Sequence, residues 1–247
     1  CLKMKEELLE RFLRYVKIDT QSKMDAEEFP STKKQFDLAE ILKKRGFTTG
    51  AVVSGPWMKK IFGLSKGFDY YNDNNIFNFY SKRASEVTTQ ALSWLTKICD
   101  KPFFLFLNYF DPHYPYNPPG KFGRIFLPEN TSKNKTPSIE EMSNLYDGEI
   151  LYTDYYLGIL FKQLKRLGVF DRSLIIITAD HGELLGEHGM TGHGTSLYQE
   201  EISIPLIIKY PGSEVPSRQE SLRLQPVDIL PLILNRLQIP LPAGIQG

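Results

Sequence analysis

The 247 residues are 41% hydrophobic and 24% charged, enough for one large globular domain or two smaller ones with a buried core. Thirty basic against 29 acidic residues leave a net charge of +1, so no basic field points to nucleic acid or to an anionic membrane. Charges interrupt every apolar run well before the roughly 18 residues a membrane helix needs, and the start lacks the apolar stretch of a signal peptide. As written, the chain reads as soluble and cytoplasmic. Its two cysteines, Cys1 and Cys99, form no metal-type cluster and read as reduced thiols.

In chain order, Lys5 to Lys17 places Leu9, Phe12, Leu13 and Val16 on one helical face, and turn chemistry follows. Thr32 and Gln35 resemble a capping box for a second helix carrying Phe36, Ala39 and Leu42, which Gly46 stops. Thr48 to Ser54 reads as a short strand, and GLSKGFDYYNDNN as a long surface loop. Ser85 is placed to cap a helix bearing Val87, Ala91, Leu95 and Ile98. The run FFLFLNYF predicts a central strand, followed by a turn-rich loop to Pro137. Ser138 and Glu141 make a capping box for the longest helix, whose stripe ends at Gly168. Leu174 to Thr178 and PLIIKY are further strands. Helices alternating with nearly continuous apolar strands predict an α/β fold, a mostly parallel sheet with helices on both faces.

Two blocks hold all four histidines. In IIITADHGELLGEHGMTGHGTSLYQEE a buried strand ends at Asp180 and His181, where ligands gather on open α/β sheets. A carboxylate suits Ca²⁺, Mg²⁺ or Mn²⁺, and an imidazole also admits Zn²⁺. The competing reading makes Asp180 a turn cap and His181 a packed, hydrogen-bonded residue. His188 and His193 add titratable donors to a loop rich in glycine. FFLFLNYFDPHYPY repeats the arrangement with Asp111 and His113, although a tight turn capped by Asp111 explains it equally well. Two strands ending in histidine-bearing loops favour one shared cleft.

From about Leu38 to Gly247 the chain resembles the sulfatases of the alkaline phosphatase superfamily, in LAEILKKRGFTTGAVVSGPW, KPFFLFLNYFDPHYPY, YDGEILYTD, the histidine block and IPLIIKYPG, all in family order. The resemblance implies an alkaline phosphatase-like fold, incomplete at its N-terminal side, and metal-dependent hydrolysis of sulfuric esters. It makes Asp180 and His181 ligands of a divalent cation, usually Ca²⁺, and His113 and His193 sulfate-binding residues. His193 stands where the family often has lysine, which keeps a donor whose charge depends on pH. A phosphate mono- or diesterase of the same superfamily, or a metal-binding protein without turnover, are the alternatives.

The family's C/S-x-P-x-R nucleophile and its early pair of metal-binding aspartates have no match: Cys99 sits in CDKPF and Ser54 in SGPW. No catalytic nucleophile is therefore assigned, and the chain as it stands is expected to be inactive or nearly so. Residues about 3–39 resemble instead the start of peptidase T, through the opening helix, IDTQS and PST, and the likeness ends near Ala39, before that family's metal ligands. The expected organisation is a peptidase T-like segment at 1–37 joined to a partial sulfatase domain at 38–247.

Overall fold

The computed structural model describes residues 37–77, 82–128, 136–212, 219 and 224–242. The predicted helix at Lys5 to Lys17, the Thr32 and Gln35 capping box and Cys1 lie outside them. Strand β1 (Thr48–Val52) is the middle of a three-stranded parallel sheet, flanked by β2 (Tyr70–Asn72) and β3 (Phe103–Leu107). β2 emerges from the segment expected to be surface loop. Its Tyr71 and Asn72 are buried, and Val53 N–H donates to the Asn72 carbonyl, so pairing with β1 overrides the local turn composition. β3 pairs only with β1 among the described residues, an edge position rather than the central one the apolar run suggested.

Side chains alternate across these strands and so meet helices on both faces. On β3, Phe103, Leu105 and Leu107 pack against Trp94, Leu95, Leu160 and Leu164 of α2 (Ala84–Leu95) and α3 (Ile139–Arg166). Phe104, of opposite parity, joins Leu42 of α1 (Asp37–Lys44) and Leu234 of α5 (Ile229–Arg236). Gly50 lets β1 approach α2, since a Cβ there would sit 2.6 Å from the Trp94 ring. The two-faced burial is that of an α/β sheet.

Sequence signals at the helix ends mostly hold. Ser138 accepts from Glu141 N–H, and the Glu141 carboxylate accepts from Ser138 N–H at 2.7 Å. Gly46 and Gly168 turn the chain with φ of +86° and +66° after α1 and α3. Ser85 is not a cap: the buried Ala84 already opens α2, and extended Arg83 holds the cap position.

β4 (Ile175–Thr178) pairs with β7 (Leu206–Lys209) antiparallel, a local departure from the parallel expectation. The histidine block between them is more than a loop. β5 (Leu184–Leu185) and β6 (Thr191–Gly192) form a small hairpin, and the short helix α4 (Gln199–Ile202) follows. Among the described residues no helix is long and apolar enough to cross a membrane.

Candidate functional site

The end of β3 delivers Asp111 and His113. His113 N–H donates to the Asp111 carbonyl at 2.8 Å, and the Phe110 ring stacks on the imidazole at 4.3 Å between centroids. Its Nδ1 lies 2.5 Å from the Tyr114 carbonyl. A carbonyl only accepts, so Nδ1 carries the proton and Nε2 is the nitrogen this ring presents to a ligand.

The end of β4 delivers Asp180 and His181. Asp180 is 90% exposed and its Oδ1 accepts the His181 N–H at 3.1 Å. His181 Nδ1 lies 2.8 Å from the Gly182 carbonyl, the arrangement that leaves a lone pair on Nε2 for a cation. Gly182 is required here: its N–H donates to the Glu201 carbonyl at 2.6 Å, and a Cβ would fall 2.1 Å from the Glu200 carbonyl oxygen.

His193 closes the gap between the two loops. Its ring stacks on His181 at 3.9 Å and meets His113 edge-on at 5.4 Å. Its Nδ1 lies 3.1 Å from a carboxylate oxygen of the buried Glu183, again turning Nε2 toward a ligand. The Gly194 to Ser196 loop is held by buried Glu201, whose carboxylate accepts the N–H groups of Gly194, Thr195 and Ser196 and, at 2.5 Å, the Ser196 hydroxyl. Those bonds, the Ser196 hydroxyl foremost, lower the Glu201 pKa. His188 stands apart, stacked on Tyr198 at 3.7 Å and 3.4 Å from Glu200.

Behind the His113 loop lies a buried charge cluster. Arg83 Nη1 is 3.1 Å from Glu149 Oε1 and 3.5 Å from Asp111 Oδ1, and both carboxyl side chains are fully buried. Burial pushes Asp111 up to about 6 and Glu149 up to about 7 against the pull of the guanidinium. Glu149 also accepts the Asn117 N–H at 2.8 Å, while Arg83 Nη2 donates to the Asn117 carbonyl at 2.9 Å.

Three of the predicted residues, His113, His181 and His193, are thus brought together, with Asp180 beside them. The sequence reading missed Glu183, Glu201, Arg83 and Glu149. GELLGEHG and YDGEI were visible as motifs, yet only the packing reveals what their carboxylates hold. Asp180 and His181 supply a fitting carboxylate and imidazole, but no three His, Cys, Asp or Glu groups among the described residues form a closed metal set. Neither Ser54 nor Cys99 is placed as a nucleophile. The Ser54 hydroxyl donates to the Asn108 carbonyl at 2.7 Å and accepts from Phe110 N–H, and Cys99 packs against the α2 and α3 core.

Comparison with known proteins settles the family. A sulfatase family model matches residues 11–239. The chain belongs to the sulfatase family. The match starts upstream of residue 38, within the segment whose sequence resembles peptidase T. This sulfatase-family chain is 27% identical over 249 positions to an ulvan-active sulfatase of Formosa agariphila, covering 85% of the chain and 48% of that protein. It is 28% identical over 200 residues to the multifunctional alkaline phosphatase superfamily protein PehA of Trinickia caryophylli, covering 65% and 39%. The chain therefore spans about half or less of these curated relatives. Among solved structures, one bound to its substrate D-glucosamine-2-N,6-O-disulfate matches with a TM-score of 0.69 at 18% identity, covering 89% of this chain and 64% of that one. A phosphonate monoester hydrolase from Silicibacter pomeroyi matches at 0.66 and 18%, covering 85% and 59%. These likenesses show an alkaline phosphatase-like α/β fold.

Proposed function

We propose that this sulfatase-family chain carries the ester-binding side and the late cation-binding pair of a sulfuric ester hydrolase. One observation carries the reading: His113, His193 and His181 converge from two strand-end loops, each with Nδ1 engaged by an acceptor. In their imidazolium forms His113 and His193 donate Nε2–H to the sulfuryl oxygens, neutralising charge on the ester and fixing its orientation. The Glu183 carboxylate, 3.1 Å from His193 Nδ1, accepts from that nitrogen and orients the ring. Asp180 and His181 hold a divalent cation, Ca²⁺ by family resemblance. When bound, it supplies Lewis-acid polarisation of the ester.

The sequence contains no C/S-x-P-x-R, and Ser54 and Cys99 are occupied or distant. The 247 residues by themselves are therefore proposed to bind sulfate esters without hydrolysing them. No peptidase activity is assigned to residues 1–37. A sulfated sugar is the favoured substrate class, supported by the disulfated glucosamine held by a structural relative. A phosphate or phosphonate ester is the second reading, suggested by the structural likeness to a phosphonate monoester hydrolase.

The test is an ester assay on the purified chain with Ca²⁺. Aryl sulfate turnover that disappears in Asp180→Ala would overturn the inactivity. Binding of aryl sulfate and aryl phosphate, each compared with His113→Ala, separates the two ester classes. Tripeptide cleavage would overturn the exclusion of residues 1–37.

A further inference from the structure

We propose that Arg83, Asp111 and Glu149 form a positioning cluster that holds the His113 loop in the shape needed to meet an anionic ligand. The inference rests on reading His113 as an ester-binding side chain, and it concerns residues that touch neither ester nor cation.

The cluster grips the loop on both sides of His113. Upstream, Asp111 turns its side chain inward beside Arg83 while its carbonyl accepts the His113 N–H. Downstream, Asn117 is pinned through both backbone groups, its N–H by Glu149 at 2.8 Å and its carbonyl by Arg83 at 2.9 Å. Only five residues separate these anchors, and prolines at 112 and 115 stiffen them. With both ends fixed, the apex has little freedom, and the imidazole stays stacked on Phe110 and in contact with His193.

The anchors reach the loop from two helices. Arg83 is the N-cap residue of α2, and Glu149 stands on α3. Gly148 makes the approach possible, because a Cβ there would meet the Phe122 carbonyl oxygen at 2.6 Å and the Pro118 ring at 2.8 Å. A plain tie between α2 and α3 needs only Arg83 and Glu149. Asp111 and both backbone groups of Asn117 add contacts whose effect is on the loop, and the buried Asp111 carboxyl has its compensating charge in Arg83.

The experiment uses the whole chain with ¹³C,¹⁵N-labelled histidine and uniform ¹⁵N, read by NMR with and without inorganic sulfate. In Glu149→Ala, amide exchange at Asn117 should rise about tenfold or more, the His113 ring signals should move, and sulfate should bind about tenfold more weakly. Glu149→Gln still offers an oxygen to Asn117 and should preserve all three. Leu234→Ala, a cavity in the distant α1 and α5 core, should change none of them despite lowering global stability. Unchanged His113 signals in Glu149→Ala, or the same changes in Leu234→Ala, would overturn the positioning role. Should Glu149→Ala not fold, Arg83→Lys decides: one ammonium cannot reach both carboxylates and the Asn117 carbonyl, so the same exchange and ring changes are required. If sulfate leaves His113 unmoved in the wild type, the ester-binding reading falls, while exchange and ring position still decide the cluster.

Discussion

Replacing Glu149 by Gln should make the protein more stable at neutral pH and remove much of its pH dependence. Arg83 offers one positive charge to two fully buried carboxyls, with Asp111 raised to about 6 and Glu149 to about 7. One guanidinium balances one carboxylate, so the folded pair keeps about one proton that both groups release near pH 4 when unfolded. A native state that binds more protons than the unfolded state loses stability as pH rises. The loss begins above the unfolded values near pH 4.5 and is complete above about pH 7. One proton corresponds to about 1.4 kcal/mol per pH unit, or about 3 kcal/mol across the window. Urea unfolding at steps from about pH 5 to about pH 8, followed by fluorescence of the buried Trp94, measures it. The variant minus wild-type difference isolates the pair from other carboxylates, such as Asp69, whose lowered pKa acts in the opposite sense. A difference that stays constant over this range would refute the reasoning, as would one that shrinks with rising pH.

Further outcomes follow from the same geometry. Gly182→Ala places a methyl group against the Glu200 carbonyl, so it should displace His181 and weaken Ca²⁺ binding by calorimetry about tenfold or more, with far-UV circular dichroism unchanged. Glu201→Ala leaves three loop amides without their acceptor and should make Gly194 to Ser196 the first site of protease cleavage, which wild type resists there. Among the described residues β3 pairs only on its β1 side, and Phe106 is 38% exposed, so sedimentation velocity should show self-association that Phe106→Lys reduces. A single monomer boundary at high concentration would contradict that.

Local patterns in the chain carried most of the architecture. FFLFL and IIIT are short apolar runs that read as strands, which they are, although half-buried rather than fully buried, and Ser138 with Glu141 announced the start of α3 in their spacing alone. The histidines at strand ends were also visible, and the ring contacts of His193 bring the two loops together. What lay hidden depends on distance along the chain. Arg83 and Glu149 are 66 residues apart, and nothing near either one indicates its partner. β2 was hidden because Tyr70 to Asn72 gains its extended form from β1, inside a segment whose asparagines and aspartates favour turns. The antiparallel pairing of β4 with β7 is set by how the hairpin and α4 return the chain, which periodicity does not encode.

The central claim is that this chain binds a sulfate ester through His113 and His193 but lacks the means to cleave it. Its most direct test is a histidine-labelled NMR titration with 4-nitrophenyl sulfate and Ca²⁺, following the imidazoles and the ester's own aromatic signals in one tube. The account predicts saturable shifts at His113 and His193 while the ester stays intact. Unmoved imidazoles, or an ester converted to nitrophenol by wild type and not by Asp180→Ala, would contradict it.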